Sequence, residues 1–323
     1  MTGHNEHLTQ HITNTQLRSD NTLHVIGVVS NPVRYHSRYR IARQWIAAMK
    51  NTPNVKLHLV ETAFGDRHHE ISGTDDLRLR TRSEAWIKEG MINLGARRAI
   101  ALDNAQYLAW VDADVFFRDP NWAQETLHQL QHFEVVQPWS DCADLGFHGG
   151  ITQHFKSFGA QHQRRAKKQM HPNQPYEYAH SGFAWACTRN FYENVRGLLD
   201  FAPLGSADHH MAFAMIGEVA NTVHGGMSAS FKRRCAEWQD RALRITKREV
   251  GFVPGRIEHM FHGPKKRRYY RERWQILIDH NYDPDTDLAY DAQGLPIIVG
   301  KPALEQAIRL YNRSRFEDSI EEQ

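Results

Sequence analysis

Three cysteines in 323 residues, Cys142, Cys187 and Cys235, are too few for a disulfide framework, and no CxxC pair marks a structural zinc site. No apolar run approaches the roughly 20 residues that a membrane-spanning helix needs. The opening stretch, MTGHNEHLTQHITNTQ, lacks the basic tip and apolar core of a secretory signal. A reducing, cytoplasmic setting without membrane insertion is therefore expected. No GxGxxG follows the first apolar run, which continues as SNPVRY, so a nicotinamide enzyme is disfavoured. There is no HExxH either, because His69-Glu70 runs on into Ile71, Ser72 and Gly73. Internal repeats and low-complexity linkers are also missing.

What is present is ordinary globular composition, 41% hydrophobic and 24% charged, which excludes disorder throughout. The net charge of +3 is unevenly placed. Residues 230–273 hold fourteen Lys/Arg against five Asp/Glu, a local +9 that leaves −6 for the rest. A second basic group is Arg164, Arg165, Lys167 and Lys168. Such concentration points to an anionic partner or to a solvated surface.

Residues 1–21 read as a polar, flexible tail. LHVIGVVS (23–30), KLHLVETAF (56–64), YLAWVDADVFF (107–117), FEVVQPW (133–139) and HSGFAWACTR (180–189) read as strands. Helical spacing is read in 38–50, 77–99 (Trp86, Ile87 and Met91 on one face), 120–132, 206–217, 264–280 and 301–316. Residues 140–178, rich in Gly, His and Gln, read as a long loop or lid. Alternating strands and helices predict an α/β fold: a mostly parallel sheet with helices on both faces.

Asp112 and Asp114 end the apolar run YLAWV, and side chains two apart on a strand face the same way. Two carboxylates at the C-terminal end of a buried strand sit where open α/β sheets bind ligands. With water and a diphosphate they suit Mg²⁺ or Mn²⁺. Asp283, Asp285 and Asp287 imitate an EF-hand start, but Leu288 and Gly294 occupy its sixth and twelfth positions, so a polar turn is expected.

The stretch KEGMINLGARRAIALDNAQYLAWVDADVFF resembles the donor half of GT-A glycosyltransferases, with their DxD motif, and HSGFAWACTRNFYENVRGLLDFAPLGSADHHMA resembles the acceptor half. The likeness spans roughly residues 23–262, and is nearest to family 2-type and bacteriophage transferases. It implies a GT-A-like, Rossmann-like catalytic domain over 22–262, with a nucleotide-sugar half (22–139) and an acceptor half (140–262). A basic, helical C-terminal extension (263–323) would follow. It implies that Asp114 holds the metal, with Asp112 on the ribose or, through water, on the metal. Ser30, Asn31, Pro32 and Glu61 would line the nucleotide pocket, with Lys88 and Asn93 near the phosphates or sugar.

Asp208 would be the general base, although Ala207-Asp208 replaces the family's Glu-Asp or Asp-Asp; the alternative is a helix-start acid. His259 or His262 would complete the metal site and favour Mn²⁺, His262 being preferred because Gly263 leaves room for phosphate. Lys265, Arg267 and Arg268, set among aromatics, would meet the acceptor, and Trp139 and Trp185 would serve a glycan. The expected reaction moves a sugar from a UDP-sugar to an acceptor hydroxyl. The acceptor expected first is a hydroxymethylated pyrimidine in phage-type double-stranded DNA, in a host cytoplasm, and a glycan second. A metal-dependent phosphoesterase and a non-catalytic nucleic-acid binder are the competing classes.

Overall fold

A computed structural model describes residues 21–86, 88–164, 179–269 and 272–320. Residues 1–20 of the expected tail, Ile87, and the basic residues Arg165, Lys167, Lys168 and Arg271 lie outside the described residues. The elements run β1 (Leu23–Ser30), α1 (His36–Lys50), β2 (Val55–Phe64), β3 (Leu77–Thr81), α2 (Lys88–Asp103), β4 (Tyr107–Val111), β5 (Val115–Phe117), α3 (Trp122–Gln129) and β6 (Val135–Gln137). Then come β7 (Asp141–Leu145), β8 (Ile151–Lys156), α4 (Phe158–Gln163), β9 (Ala184–Thr188), α5 (Arg189–Val195), α6 (Ala207–Met215) and α7 (Ala229–Thr246). The chain closes with β10 (Gly251–Phe252), β11 (Arg256–His259), α8 (Glu272–Asp279), β12 (Leu288–Tyr290), β13 (Pro296–Ile298) and α9 (Pro302–Ser314).

The main sheet has seven strands in the order β10-β6-β9-β4-β1-β2-β3. It is parallel except at β9, which runs against both β4 and β6. Both faces are covered, as near-continuous apolar strands require. Val25 packs with Trp45 of α1, while Ile26, on the opposite face, packs with Met91 and Ile92 of α2. Ser157, Thr188 and Ser228 cap α4, α5 and α7, each hydroxyl accepting a backbone N–H three residues on.

Four sequence expectations are corrected. The segment 77–99 is a strand, then a loop, then a helix: LRLRT alternates buried Leu79 and Thr81 with exposed Arg78 and Arg80, which extends the sheet beyond β2. The expected strand 107–117 breaks at Asp112, where Val115 N–H bonds Asp112 C=O at 3.0 Å, and β5 joins a second sheet ordered β5-β11-β7-β8. Within the expected loop 140–178, the hairpin β7–β8 and helix α4 form. The expected basic helix 264–280 is a 3₁₀ turn at Lys265–Arg268 and then α8, parted at Tyr269, whose φ of 46° no helix accommodates. Asp283–Asp287 does form a polar turn, with Asp285 paired to Arg233 and Arg234.

The C-terminal segment returns to the start of the chain. Asp318 accepts the His36 and Ser37 N–H groups at 2.9 and 2.8 Å, satisfying orphan donors at the N-terminus of α1, which has no side-chain cap of its own. Arg38 grips Glu317 through Nε and through Nη2, the latter at 2.7 Å.

Candidate active site

The chain passes from β1 to β2 and β3 on one side and then crosses to β4 on the other, so the strand order switches between β1 and β4. Ligands bind outside the C-terminal strand ends at such a switch. Here the ends of β1 and β4 bring Ser30 and Asp112–Asp114 to one cleft, whose space open to solvent is ≈ 980 Å³. A second chamber of ≈ 780 Å³ shares Trp86, Lys88, Asp112, Asp114 and His262 with it and adds Asp208, His180 and Arg273.

Asp114, His259 and His262 have donor atoms within 4.8 Å of one another. His262 Nε2 lies 3.0 Å from Asp114 Oδ2 and His259 Nε2 3.8 Å from the same oxygen. The second sheet sets this up: β11 carries His259 beside Asp144 of β7, and their side chains meet at 2.5 Å through Nδ1. That bond leaves His259 Nε2 facing Asp114, the carboxylate–imidazole orientation that tunes metal ligands. Lys265 holds the other oxygen of Asp144. His262 Nδ1 lies 3.5 Å from Glu317 Oε2. Burial would raise the Asp114 carboxyl, but His259, His262 and Arg268 hold it well below the usual carboxylate range. Its Oδ1 is buried without a hydrogen-bond partner among the described residues. One anionic oxygen and two imidazoles with an unsatisfied buried lone pair fit a divalent transition ion.

Asp112 is placed differently from its expected metal role: its carboxylate pairs with Lys88, at the start of α2, rather than with the histidines. Burial, Asp114 and Asp208 push Asp112 up, with Lys88 opposing. Burial would lower Lys88, but Asp112, Glu89 and Asp208 outweigh it and keep the ammonium charged.

Asp208 lies in the first turn of α6, where the helix dipole favours an anion. Ser206, not Asp208, is the N-cap residue, and its hydroxyl accepts from Arg273 and Trp274. Burial works against the Asp208 carboxylate, but Lys88, His180 and Arg273 hold its pKa below the ordinary value, so it is ionised at neutral pH. A Cβ at Gly182 would stand 2.6 Å from Asp208 Oδ2 and 2.9 Å from His180 Cε1. Gly182→Ala is therefore expected to displace Asp208 and cost about 10²-fold in turnover while leaving thermal stability near wild type, measured by steady-state kinetics beside a melting curve.

Glu89, 4% exposed, lines the same chamber. Burial pushes its carboxyl up to about 8, Asp208 and Asp112 adding to this and Lys88 opposing. A carboxyl raised in the native state stabilises fully below its unfolded pKa, and that contribution is lost as pH rises through the native value. Glu89→Gln is thus expected to flatten the fall in stability between about pH 5 and about pH 9, read by urea melts. An unchanged slope would place the ionised form in the native cavity.

Of the other expected site residues, Ser30 and Pro32 line the cleft. Asn31, Glu61 and Asn93 do not. Asn31 ties both backbone groups of Tyr35. Glu61 accepts from the Glu70, Ile71 and Ser72 N–H groups and the Ser72 hydroxyl, stapling a loop. Asn93 is bonded to both backbone groups of Leu198. Trp139 and Trp185, 0% and 2% exposed, present no face to a glycan. Lys265 is spent on Asp144, Arg268 donates to His262 Nε2 at 3.1 Å, and Arg267 lies over Phe316. Gly263 has φ +91°, and a Cβ there would meet the Glu317 backbone at 2.6 Å, so its small size admits the C-terminal segment rather than a phosphate.

The sequence reading missed Arg38, Trp86, Arg315 and Glu317 as cleft residues. Arg38 and Arg315 both meet Trp86, their guanidinium carbons standing 5.8 and 5.5 Å from its ring centroid. No motif signals this group, since Arg315 and Glu317 lie more than 200 residues along the chain from Arg38 and Trp86. Glu89 and His180 did carry a signal, adjacent to Lys88 and to the small-residue strand.

No family profile matches the sequence, and no curated protein matches it. Among solved structures, the chain is similar to the catalytic domain of Drosophila β1,4-galactosyltransferase 7 in complex with xylobiose: TM-score 0.39 and 13% identity, over 86% of this chain and 92% of that one. It is also similar to a Desulfovibrio desulfuricans G20 protein described as a nucleotide-diphospho-sugar transferase: TM-score 0.32 and 10% identity, over 91% and 97%. Likeness at these scores carries no argument about function.

Proposed function

We propose that the chain is a glycosyltransferase that moves a sugar from a nucleoside diphosphate sugar to an acceptor hydroxyl. The observation that carries this reading is the meeting, in one cleft at the sheet's switch point, of Asp114 with two histidines and of an ionised Asp208 with Lys88. Asp114, His259 and His262 would hold the divalent ion. When bound, it neutralises charge developing on the departing diphosphate. The chamber with Trp86, Arg38 and Arg315 on its wall receives the nucleotide. Lys88 holds Asp112 in place and lends positive charge beside the sugar. Asp208 takes the acceptor's proton as the hydroxyl oxygen bonds the anomeric carbon and the bond to the diphosphate breaks, a single displacement with inversion.

For the acceptor, a glycan-type hydroxyl is favoured over modified DNA. Lys265, Arg268, Arg233 and Arg234 are engaged within the chain, which removes much of the charge that phosphate contacts need. Beside the histidines a groove lined by Phe147 and Phe261 offers aromatic faces instead. The test is a panel of nucleotide sugars with Mn²⁺, scored by nucleoside diphosphate release, against glycans and against DNA carrying 5-hydroxymethylcytosine or 5-hydroxymethyluracil. Stabilisation by UDP only with metal, and transfer to a glycan, are the expected results. Nucleotide release with no donor preference and no transfer product would instead mark a phosphoesterase.

A further inference from the structure

A second group of side chains able to ligate a metal lies at the other end of the main sheet's strands, away from the cleft. His24 and His58 stand near the starts of β1 and β2, and Asp103 ends α2. From His24 to Ser30 at the cleft is six strand residues, about 20 Å. His24 shares its strand face with Ile26 and His58 shares its face with Val60, the face that α2 covers. His24 Nδ1 is 2.9 Å from His58 Nε2, and Asp103 Oδ2 is 3.7 Å from that same Nε2. The histidines are 3% and 8% exposed.

We infer that His24, His58 and Asp103 form a second metal site, distinct from the cleft, for a divalent ion of the zinc class. Ligand bonds of about 2.0–2.1 Å at tetrahedral angles separate donor atoms by about 3.3 Å, and the two observed spacings bracket that value. Two imidazoles with one carboxylate select a borderline transition ion over Mg²⁺ or Ca²⁺, which want more oxygen. Lys56 binds the other oxygen of Asp103 at 2.5 Å, so it orients Oδ2 toward the imidazoles instead of competing for it. The ion would clip together two adjacent strands and the end of the helix that covers them, a stabilising role independent of sugar transfer.

The test uses the full chain with Asp114→Ala and His262→Ala, which removes the cleft cluster, stripped with chelator and titrated with Zn²⁺ and then Co²⁺. Expected are one bound equivalent, a rise in melting temperature with metal, and a visible Co²⁺ absorption band. Adding His58→Gln should abolish these, and adding Asp103→Asn, at a partly exposed position, should weaken Zn²⁺ at least about tenfold. Asp103→Asn decides the matter if His58→Gln does not fold. No binding in the stripped double variant overturns the inference. Binding untouched by Asp103→Asn and His58→Gln overturns it too, because the ion then sits elsewhere in the chain.

Discussion

Asp114→Ala is expected to lower sugar transfer by at least about 10³-fold, with no rescue by excess Mn²⁺. Loss of the anionic ligand removes the ion that offsets leaving-group charge, worth several kcal/mol, and each 1.36 kcal/mol is tenfold in rate. The fold should survive. Asp114 lies in the turn between β4 and β5, its Oδ1 bonds no group among the described residues, and Val111 and Val115 on either side stay packed. Circular dichroism and a metal-free melting curve near wild type should accompany the lost activity, and chelation of the wild-type protein should reproduce it. Retention of most activity in a folded Asp114→Ala protein would remove the metal cluster from the reaction.

Asp208→Asn should lower kcat by about 10²- to 10⁴-fold while KM for the donor stays close to wild type. The amide keeps the shape and the contact to the His209 N–H but cannot accept the acceptor's proton. Stability at neutral pH is expected to fall modestly, because Lys88, His180 and Arg273 together outweigh the burial cost of the carboxylate and the amide loses that attraction, while Lys88 stays paired with Asp112. If the protein melts earlier but keeps its rate per folded molecule, Asp208 serves the start of α6 and the base lies elsewhere.

Several parts of this molecule are set by local chemistry and were legible as such. β1, β4 and β9 are apolar runs long enough to be buried on both faces, and they require a covered, mostly parallel sheet. Asp112 and Asp114 after YLAWV, and His259 and His262 in IEHMFHG, were visible as site candidates because carboxylates and imidazoles beside buried strands have few structural uses. LRLRT was misread because five residues whose apolar positions are bounded by arginines satisfy a helical window as well as an alternating one.

Tertiary structure decided the division of labour. Asp112 and Asp114 are equivalent in sequence, yet one faces Lys88 and the other two histidines, because the turn after β4 sends β5 into a different sheet beside β11. Asn31, Glu61 and Asn93 read as pocket residues, yet their side chains answer backbone groups that only the folded loops bring near. Glu317 and Arg315 join the cleft from the far end of the chain, where closing so long a loop depends on the Arg38 and α1 contacts that reward it. Sequence by itself determined which segments are buried and which polar types end them, since burial follows from side-chain chemistry position by position. Which of those polar groups face each other depends on strand order and on contacts between distant segments, and these exist only once the sheets have assembled.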